Sequence, residues 1–172
     1  TITLAGTGGI IEGNLDDAII NVNTDPALNL SGTDEYLINS ATAGEDFRTS
    51  DTNGVITAWI KPLATTGGEA PGTAVIFSAS DEASGSYYLS IQVRNDGKLW
   101  VRQRGTVNDD YDLKSTTAIK DDVWTHIAIN SNGSAISMYI NGISDTVAVD
   151  SGTNNGDWFG DFNTNPLDNI SI

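Results

Sequence analysis

Apolar and polar residues alternate along much of this chain with the two-residue period of a half-buried β-strand. The segment YYLSIQVR, residues 87–94, alternates cleanly, and no apolar stripe with a 3.6-residue period is long enough to predict a helix. The pattern predicts strands near residues 1–5, 18–22, 35–39, 55–61, 73–78, 87–94, 98–104, 123–130, 135–141, 143–149 and 167–172. We therefore expect an all-β fold.

The segment VITAWIKP, residues 55–62, departs from simple alternation because it is apolar on both pleat faces. Val55 and Trp59 lie on one face, and Ile56 and Ile60 lie on the other. A run of this kind is typical of a central strand that is covered on both sides. We expect residues 55–61 to form such a strand.

An Asn-Gly pair predicts a hairpin within residues 124–143, WTHIAINSNGSAISMYINGI. Asn132-Gly133 can supply both positive-φ residues of a two-residue type I′ turn. A turn there pairs Ile129 with Ile136, Ile127 with Met138, and Thr125 with Ile140. This almost wholly aliphatic face should be buried, whereas the opposite face pairs His126 with Tyr139 and Trp124 with Asn141.

A second hairpin is predicted over residues 87–104, with a three-residue loop at Asn95-Asp96-Gly97. A two-residue loop would pair Arg94 with Leu99 and mix the two faces. The three-residue loop instead turns an apolar set inward, in which Val93 pairs with Leu99 and Ile91 with Val101. The outward pairs are Arg94 with Lys98, Gln92 with Trp100, Ser90 with Arg102, and Tyr88 with Arg104.

Turn residues are spread along the whole chain, which has 18 glycines and five Asn-Gly or Asp-Gly pairs. Many short strands separated by such turns indicate a sandwich or a barrel. The length of 172 residues suits one well-buried core, so we expect a single domain over 1–172, with 1–17 as an N-terminal extension or edge strand. The chain starts at Thr1 with no signal peptide, and we expect it to be part of a larger protein.

The formal net charge is −15, from 23 acidic and 8 basic residues. Duplex nucleic acid is excluded as a partner because phosphate binding needs a basic surface, and anionic membranes are disfavoured for the same reason. No apolar run approaches the roughly 20 residues of a membrane span. The absence of cysteine excludes disulfides, thiolate zinc sites and a cysteine nucleophile.

Several motifs occur in an order that resembles the laminin G-like, concanavalin A-like jelly roll. They are LNLSG at 28–32, ITAWIKP at 56–62, VIFS at 75–78, VWTHIAI at 123–129, MYING at 138–142 and LDNISI at 167–172. The resemblance implies a two-sheet antiparallel β-sandwich, typically a glycan- or protein-binding module of an extracellular or virion-surface protein, often with structural calcium. It also implies that Trp124, His126, Tyr139 and Asn141 are scaffold positions.

Catalysis is not expected from these residues. Relatives that cleave glycans carry two glutamates on one strand face, because retaining hydrolysis needs carboxylates about 5 Å apart. None of the five glutamates here has a second glutamate two or four residues away. The single histidine has no nucleophile or metal-ligand companion in the sequence that would complete a triad. We therefore predict that the protein is not an enzyme.

Two sets of residues could hold calcium. The segment NDDYD places the oxygen ligands of Asn108, Asp109, Asp110 and Asp112 within five residues, although a solvated loop would have the same composition. The family resemblance suggests the second set. Asp168 matches the aspartate of the family's closing strand, and Asp34 or Asp16 could share an ion with it.

The outward face of the 87–104 hairpin is the predicted ligand site. An exposed Trp100 would form the stacking platform, Gln92 and Arg102 would donate hydrogen bonds, and Tyr88 and Arg104 would form the rim. Arg94 and Lys98 complete a cluster that holds half of the basic residues of the chain. Their like charges indicate either a nearby carboxylate or an acidic ligand such as a uronate or a sulfated glycan.

Two functions fit these features. The first is a non-catalytic glycan-binding or adhesion module that is stabilised by calcium at a cell or virion surface. The second is a structural decoration or assembly domain of a virion or surface filament, in which Trp100 is buried against another protein chain.

Overall fold

The computed structural model describes residues 19–20, 28–29, 37–40, 51–62, 73–81, 83–105, 110–162 and 167–172. Nearly all the regular structure in these ranges is strand, together with one 3-10 turn at Phe159–Asp161. The strands are β1 (Ile19–Ile20), β2 (Leu28–Asn29), β3 (Ile38–Ser40), β4 (Gly54–Ile60), β5 (Thr73–Asp81), β6 (Ser84–Arg94), β7 (Lys98–Arg104), β8 (Tyr111–Ala118), β9 (Thr125–Ser131), β10 (Ile136–Ile140), β11 (Ile143–Asp145), β12 (Val147–Ser151) and β13 (Asn169–Ser171). The strand predicted at 1–5 lies outside the described residues.

Two main sheets form a sandwich, and every described strand pair is antiparallel. The larger sheet has seven strands in the order β12-β8-β7-β6-β5-β13-β3, and the smaller has four in the order β11-β10-β9-β4. β1 and β2 form a separate pair. This architecture confirms the predicted all-β, two-sheet antiparallel sandwich.

The core lies between the two sheets and is built from the alternating inward residues of their strands. Leu89, Ile91 and Val101 of the seven-stranded sheet belong to the same buried cluster as Ile129 and Met138 of the four-stranded sheet. The predicted burial of the aliphatic hairpin face is confirmed for Ile127, Ile129, Ile136 and Met138, while Ile140 is only partly buried.

The β9–β10 hairpin has a different turn from the predicted one. Ser131 pairs with Ile136, so a four-residue loop replaces the type I′ turn at Asn132-Gly133. The Asn132 carboxamide oxygen accepts hydrogen bonds from the backbone N–H of Ser134 and of Ala135, both at 2.9 Å, which stabilises the longer loop. The register moves by two residues, and because the side-chain period is also two, the predicted inward face is unchanged.

A two-residue turn with both positive φ values occurs instead at Asn141-Gly142, where φ is 52° and 78°. It joins Ile140 to Ile143, which are direct cross-strand partners. The strand predicted at 143–149 is then divided, because β11 pairs with β10 and β12 pairs with β8 of the other sheet.

The prediction that residues 55–61 form a strand covered on both sides is wrong. Among the described strands β4 pairs only with β9, so it lies at an edge of the four-stranded sheet. Strict alternation turns Val55 and Trp59 away from the core, where their side chains are 59% and 65% exposed. Apolar residues on both faces therefore did not mean burial on both faces.

An aromatic cluster near the C-terminus closes one part of the core. The Trp158 and Phe159 rings lie 5.1 Å apart between centroids, and Phe159 is 6.2 Å from Phe77 of β5. The Asp161 carboxylate accepts a hydrogen bond from the Trp158 N–H at 2.7 Å and so holds the 3-10 turn. Burial, with an added contribution from the nearby Asp157 charge, raises the pKa of Asp161.

Candidate functional site

The outward side chains of β6, β7 and β8 form a basic surface on the seven-stranded sheet. The register confirms the predicted three-residue loop, since Val93 pairs with Leu99 and the Gly97 N–H donates to the Arg94 carbonyl at 2.8 Å. Gly97 has φ +70°, a conformation that glycine adopts without strain. We call this surface the basic face, and its members are Arg94, Lys98, Trp100, Arg102, Arg104 and Lys114.

Trp100 is 5% exposed, so the prediction of an open tryptophan platform is wrong. The Arg94 guanidinium carbon lies 4.4 Å from the centroid of the indole ring, and the Lys114 ammonium lies 4.8 Å from it. The indole N–H donates to the Asp96 carboxylate at 3.2 Å. Residues of the same chain therefore cover Trp100, and the ring holds two cations by cation–π attraction.

Asp112 on β8 neutralises two of the predicted ligand residues. Its carboxylate accepts hydrogen bonds from the Arg102 Nε and from the Arg104 Nη2, each at 2.8 Å, and from the Ser151 hydroxyl at 3.2 Å. Burial alone would raise the pKa of Asp112, but the hydrogen bonds and charges of Arg104 and Arg102 outweigh it and lower that pKa. Asp112 lies directly opposite Arg102 across the sheet, which explains the pairing.

Arg104 is held from several sides. Its Nη1 donates to the carbonyls of Gln103 and Tyr111 at 2.8 and 2.9 Å, in addition to the bond to Asp112. The hydrogen bond to Asp112 is the main reason that the pKa of Arg104 is raised. These contacts make Arg104 part of the scaffold.

The remaining predicted ligand residues lie on the same surface. Gln92 is buried and donates through its side-chain N–H to the Ser90 hydroxyl at 2.8 Å. Tyr88 is half-buried and lies opposite Arg104. The structure therefore brings Tyr88, Gln92, Arg94, Trp100, Arg102 and Arg104 together on one face, as the register predicted.

Arg94 and Lys98 differ from their neighbours in having no ionic partner among the described residues. Lys114 forms an ion pair with Asp150, and Arg102 and Arg104 pair with Asp112. Neither Arg94 nor Lys98 forms a salt bridge with any described carboxylate, although both are only partly buried. The charges of these two side chains are therefore not matched by an ion pair within the part of the chain that the structure describes.

The residues predicted to bind calcium are only partly covered by the structure. Asn108, Asp109, Asp34 and Asp16 lie outside the described residues. Asp110 accepts a hydrogen bond from the Gly105 N–H at 2.6 Å. Asp168 precedes β13, and three strands separate β13 from the β8 strand of Asp112. The described part of the chain contains no group of three or more acidic or histidine side chains placed to hold a metal ion.

Two of the residues predicted as scaffold positions, His126 and Asn141, contact each other at the end of β9. The Asn141 carboxamide oxygen accepts from the His126 N–H at 3.0 Å, and the Asn141 N–H donates to the His126 carbonyl at 2.8 Å. All five glutamates lie outside the described residues. Within the described ranges, no helix is long and apolar enough to cross a membrane.

Sequence reasoning missed Trp59 as an exposed residue and Asp112 as the counter-ion of two arginines. Alternation along 55–61 was the available signal for Trp59, since it places Trp59 on the face opposite Ile56 and Ile60. Asp112 carried no such signal, because its pairing depends on the register between β7 and β8.

Comparison with known proteins agrees with the observed sandwich. Residues 30–167 match a laminin G-type family model described as the concanavalin A-like lectin/glucanases superfamily. A search of the curated proteins found no match.

Two solved structures share the fold. The CBM40 of the Ruminococcus gnavus IT-sialidase matches with a TM-score of 0.53 and 15% identity, over 70% of this chain and 62% of that one. Mouse laminin alpha1 chain, domains LG4-5, matches with a TM-score of 0.52 and 11% identity, over 80% of this chain and 31% of that one. This chain thus spans less than two thirds of the length of either structure, and at these identities the likeness concerns the fold alone.

Proposed function

This chain belongs to the concanavalin A-like lectin/glucanases superfamily, and from that premise we propose that it is a non-catalytic glycan-binding or adhesion module of an extracellular protein. The ligand that we propose is an acidic glycan bound at the basic face. The observation that carries the proposal is that Arg94 and Lys98 have no salt bridge to a described carboxylate, although the chain has 23 acidic residues.

The geometry around Trp100 supports Arg94 as the main contact. Cation–π packing on the indole ring restrains the guanidinium, so little side-chain entropy remains to be lost when a ligand binds. A planar guanidinium can donate two parallel hydrogen bonds to a carboxylate or sulfate. In this proposal Trp100 orients Arg94 and does not stack on a sugar.

The structural comparisons are consistent with this ligand class. The Ruminococcus gnavus CBM40 has also been solved bound to alpha2,3 sialyllactose, and that structure matches this chain with a TM-score of 0.50 and 15% identity. Sialic acid carries the carboxylate that the basic face would attract. The proposal that the domain lacks catalytic activity rests on the absence of a glutamate pair at the spacing that hydrolysis of this kind uses.

The test is a titration with α2,3-sialyllactose, with lactose as its neutral counterpart, and with a sulfated oligosaccharide, followed by tryptophan fluorescence and calorimetry. Arg94→Gln should weaken binding of the acidic sugars by about 10- to 100-fold, the equivalent of losing one charged hydrogen bond. Lys61→Gln is the matched control, because it removes one positive charge outside the basic face, directly after β4, where Lys61 pairs with Asp122.

Binding of the acidic sugars should also weaken as salt increases, because the contact is ionic. Equal affinity of wild type and Arg94→Gln for sialyllactose would contradict the assignment of the site. Failure of the wild type to bind any acidic glycan would contradict the ligand class.

A further inference from the structure

The outward face of the four-stranded sheet is a second surface with a distinct chemistry. Its members, which we call the neutral face, are Val55, Thr57, Trp59, His126, Ala128, Asn130, Ser137, Tyr139 and Ser144. The register places them in rows across the sheet: Trp59 with His126, Thr57 with Ala128 and Tyr139, and Val55 with Asn130 and Ser137.

Trp59 is the most exposed aromatic side chain of this face, at 65%. Its ring lies 5.3 Å from the His126 ring between centroids, with a tilt of 59° between the planes. This contact supports one side of the indole and leaves most of the ring accessible. An exposed, laterally supported indole can pack against the apolar face of a pyranose ring.

The polar residues around Trp59 are small and uncharged. Thr57, Asn130, Ser137 and Ser144 can donate and accept hydrogen bonds, as sugar hydroxyls require. The acidic or basic residues of β4, β9, β10 and β11 are His126 and Asp145, and the Asp145 carboxylate accepts hydrogen bonds from Thr116 and Thr117 of β8. Lys61, which directly follows β4, pairs with Asp122. None of the nine residues of the neutral face is an aspartate, glutamate, lysine or arginine, in a chain of net charge −15.

We propose that the neutral face is a second carbohydrate site that binds an uncharged glycan, with Trp59 as its stacking residue. Charge selects the ligand class, since the neutral face has no lysine or arginine and the nearby Lys61 is paired with Asp122, whereas Arg94 and Lys98 of the basic face have no described ionic partner. The two apolar exposed side chains, Val55 and Trp59, are separated by Thr57, so the surface is more polar than the buried centre of a protein interface.

The site goes beyond the proposed acidic-glycan site and does not depend on it. A module with ligand faces on both outer surfaces could join two different glycans, which is a means of adhesion. Trp59 on β4 and Arg94 on β6 belong to different sheets, so single substitutions can remove each site independently.

The experiment titrates the intact chain with uncharged hexasaccharides of glucose, galactose, mannose and xylose, followed by tryptophan fluorescence and calorimetry. Trp59→Ala should weaken binding of the uncharged glycan at least about tenfold while the response to sialyllactose is unchanged. Val149→Ala is the matched control, because Val149 is an exposed apolar residue of β12 in the seven-stranded sheet, outside both faces, and should leave binding unchanged.

Arg94→Gln should have no effect on binding of the uncharged glycan. A failed prediction for the acidic-glycan site can therefore be told apart from a failed prediction for the neutral face. Equal binding by wild type and Trp59→Ala would overturn the proposal, as would the absence of any response to all four hexasaccharides. Self-association of the wild type that Trp59→Ala abolishes, without glycan binding, would assign the face to a second copy of the chain and would also overturn it. The far-ultraviolet circular dichroism of each variant must match that of the wild type.

Discussion

Asp112 should contribute more to stability than any exposed ion pair of this protein. Its side chain is 12% exposed, and it contacts the Arg102 and Arg104 guanidinium groups, which are 28% and 23% exposed. Asp112→Ala removes the carboxylate and leaves two partly buried cations without their shared counter-ion. This is the situation in which loss of one partner is costly.

The magnitude follows from the contacts. A hydrogen bond to a charged group contributes a net stabilisation of about 1.5–3 kcal/mol, whereas an exposed ion pair contributes about 0.2–1 kcal/mol. Each of the two short hydrogen bonds to Asp112 should contribute a stabilisation between these two values, because water still reaches both guanidinium groups. We expect Asp112→Ala to lower the free energy of unfolding by about 2–4 kcal/mol.

Urea denaturation at neutral pH, with linear extrapolation, measures this change. The matched control is Asp150→Ala, which removes the partner of Lys114 at a more exposed position, where Asp150 is 42% exposed. The control should cost less than about 1 kcal/mol. If Asp112→Ala costs no more than Asp150→Ala, the argument that Asp112 is a shared, buried counter-ion is refuted.

The same residue predicts a pH dependence. The pKa of Asp112 in the folded state is lowered, so its stabilisation is fully present above the unfolded pKa of about 3.9 and is lost as the pH falls through the folded pKa. The difference in unfolding free energy between wild type and Asp112→Asn should be constant near neutral pH and should decrease below about pH 4. A difference that stays constant through the acid range would contradict the lowered pKa.

Three further predictions concern the core and the metal. Ile129→Ala should lower the free energy of unfolding by about 2–5 kcal/mol through the cavity it leaves, whereas Ile143→Ala, at a 73% exposed position, should change it by less than about 0.5 kcal/mol. Gln103 is fully buried and neither amide atom has a hydrogen-bond partner among the described residues, so Gln103→Met should stabilise the protein by about 1–3 kcal/mol in urea denaturation, and a loss of stability would show that the amide is paired. For calcium, a chelator should lower the melting temperature and added ion should restore it, and unchanged melting across millimolar calcium would contradict the prediction.

The basic face shows which features the alternation of residues along a strand can predict. The register of the 87–104 hairpin and the side on which each residue lies could be predicted, since a three-residue loop and a two-residue period leave one consistent arrangement. The burial of Trp100 could not, because Lys114, which covers the ring, comes from β8, whose register against β7 includes an irregularity between Lys98 and Trp100. An outward position was therefore mistaken for an exposed one.

The sequence by itself determined the all-β class and the inward face of each hairpin, because alternation is a property of neighbouring residues. Only the tertiary structure decided which of the described strands lie at the edges of the sheets and that residues 143–149 divide between two sheets. It also decided which carboxylate forms an ion pair with which arginine. Those outcomes depend on contacts between residues far apart in the chain. Trp59 and Trp100 show the consequence, because both are tryptophans on outward strand positions. Arg94 and Lys114 of the adjacent strands cover Trp100, whereas the His126 ring contacts Trp59 and leaves it 65% exposed.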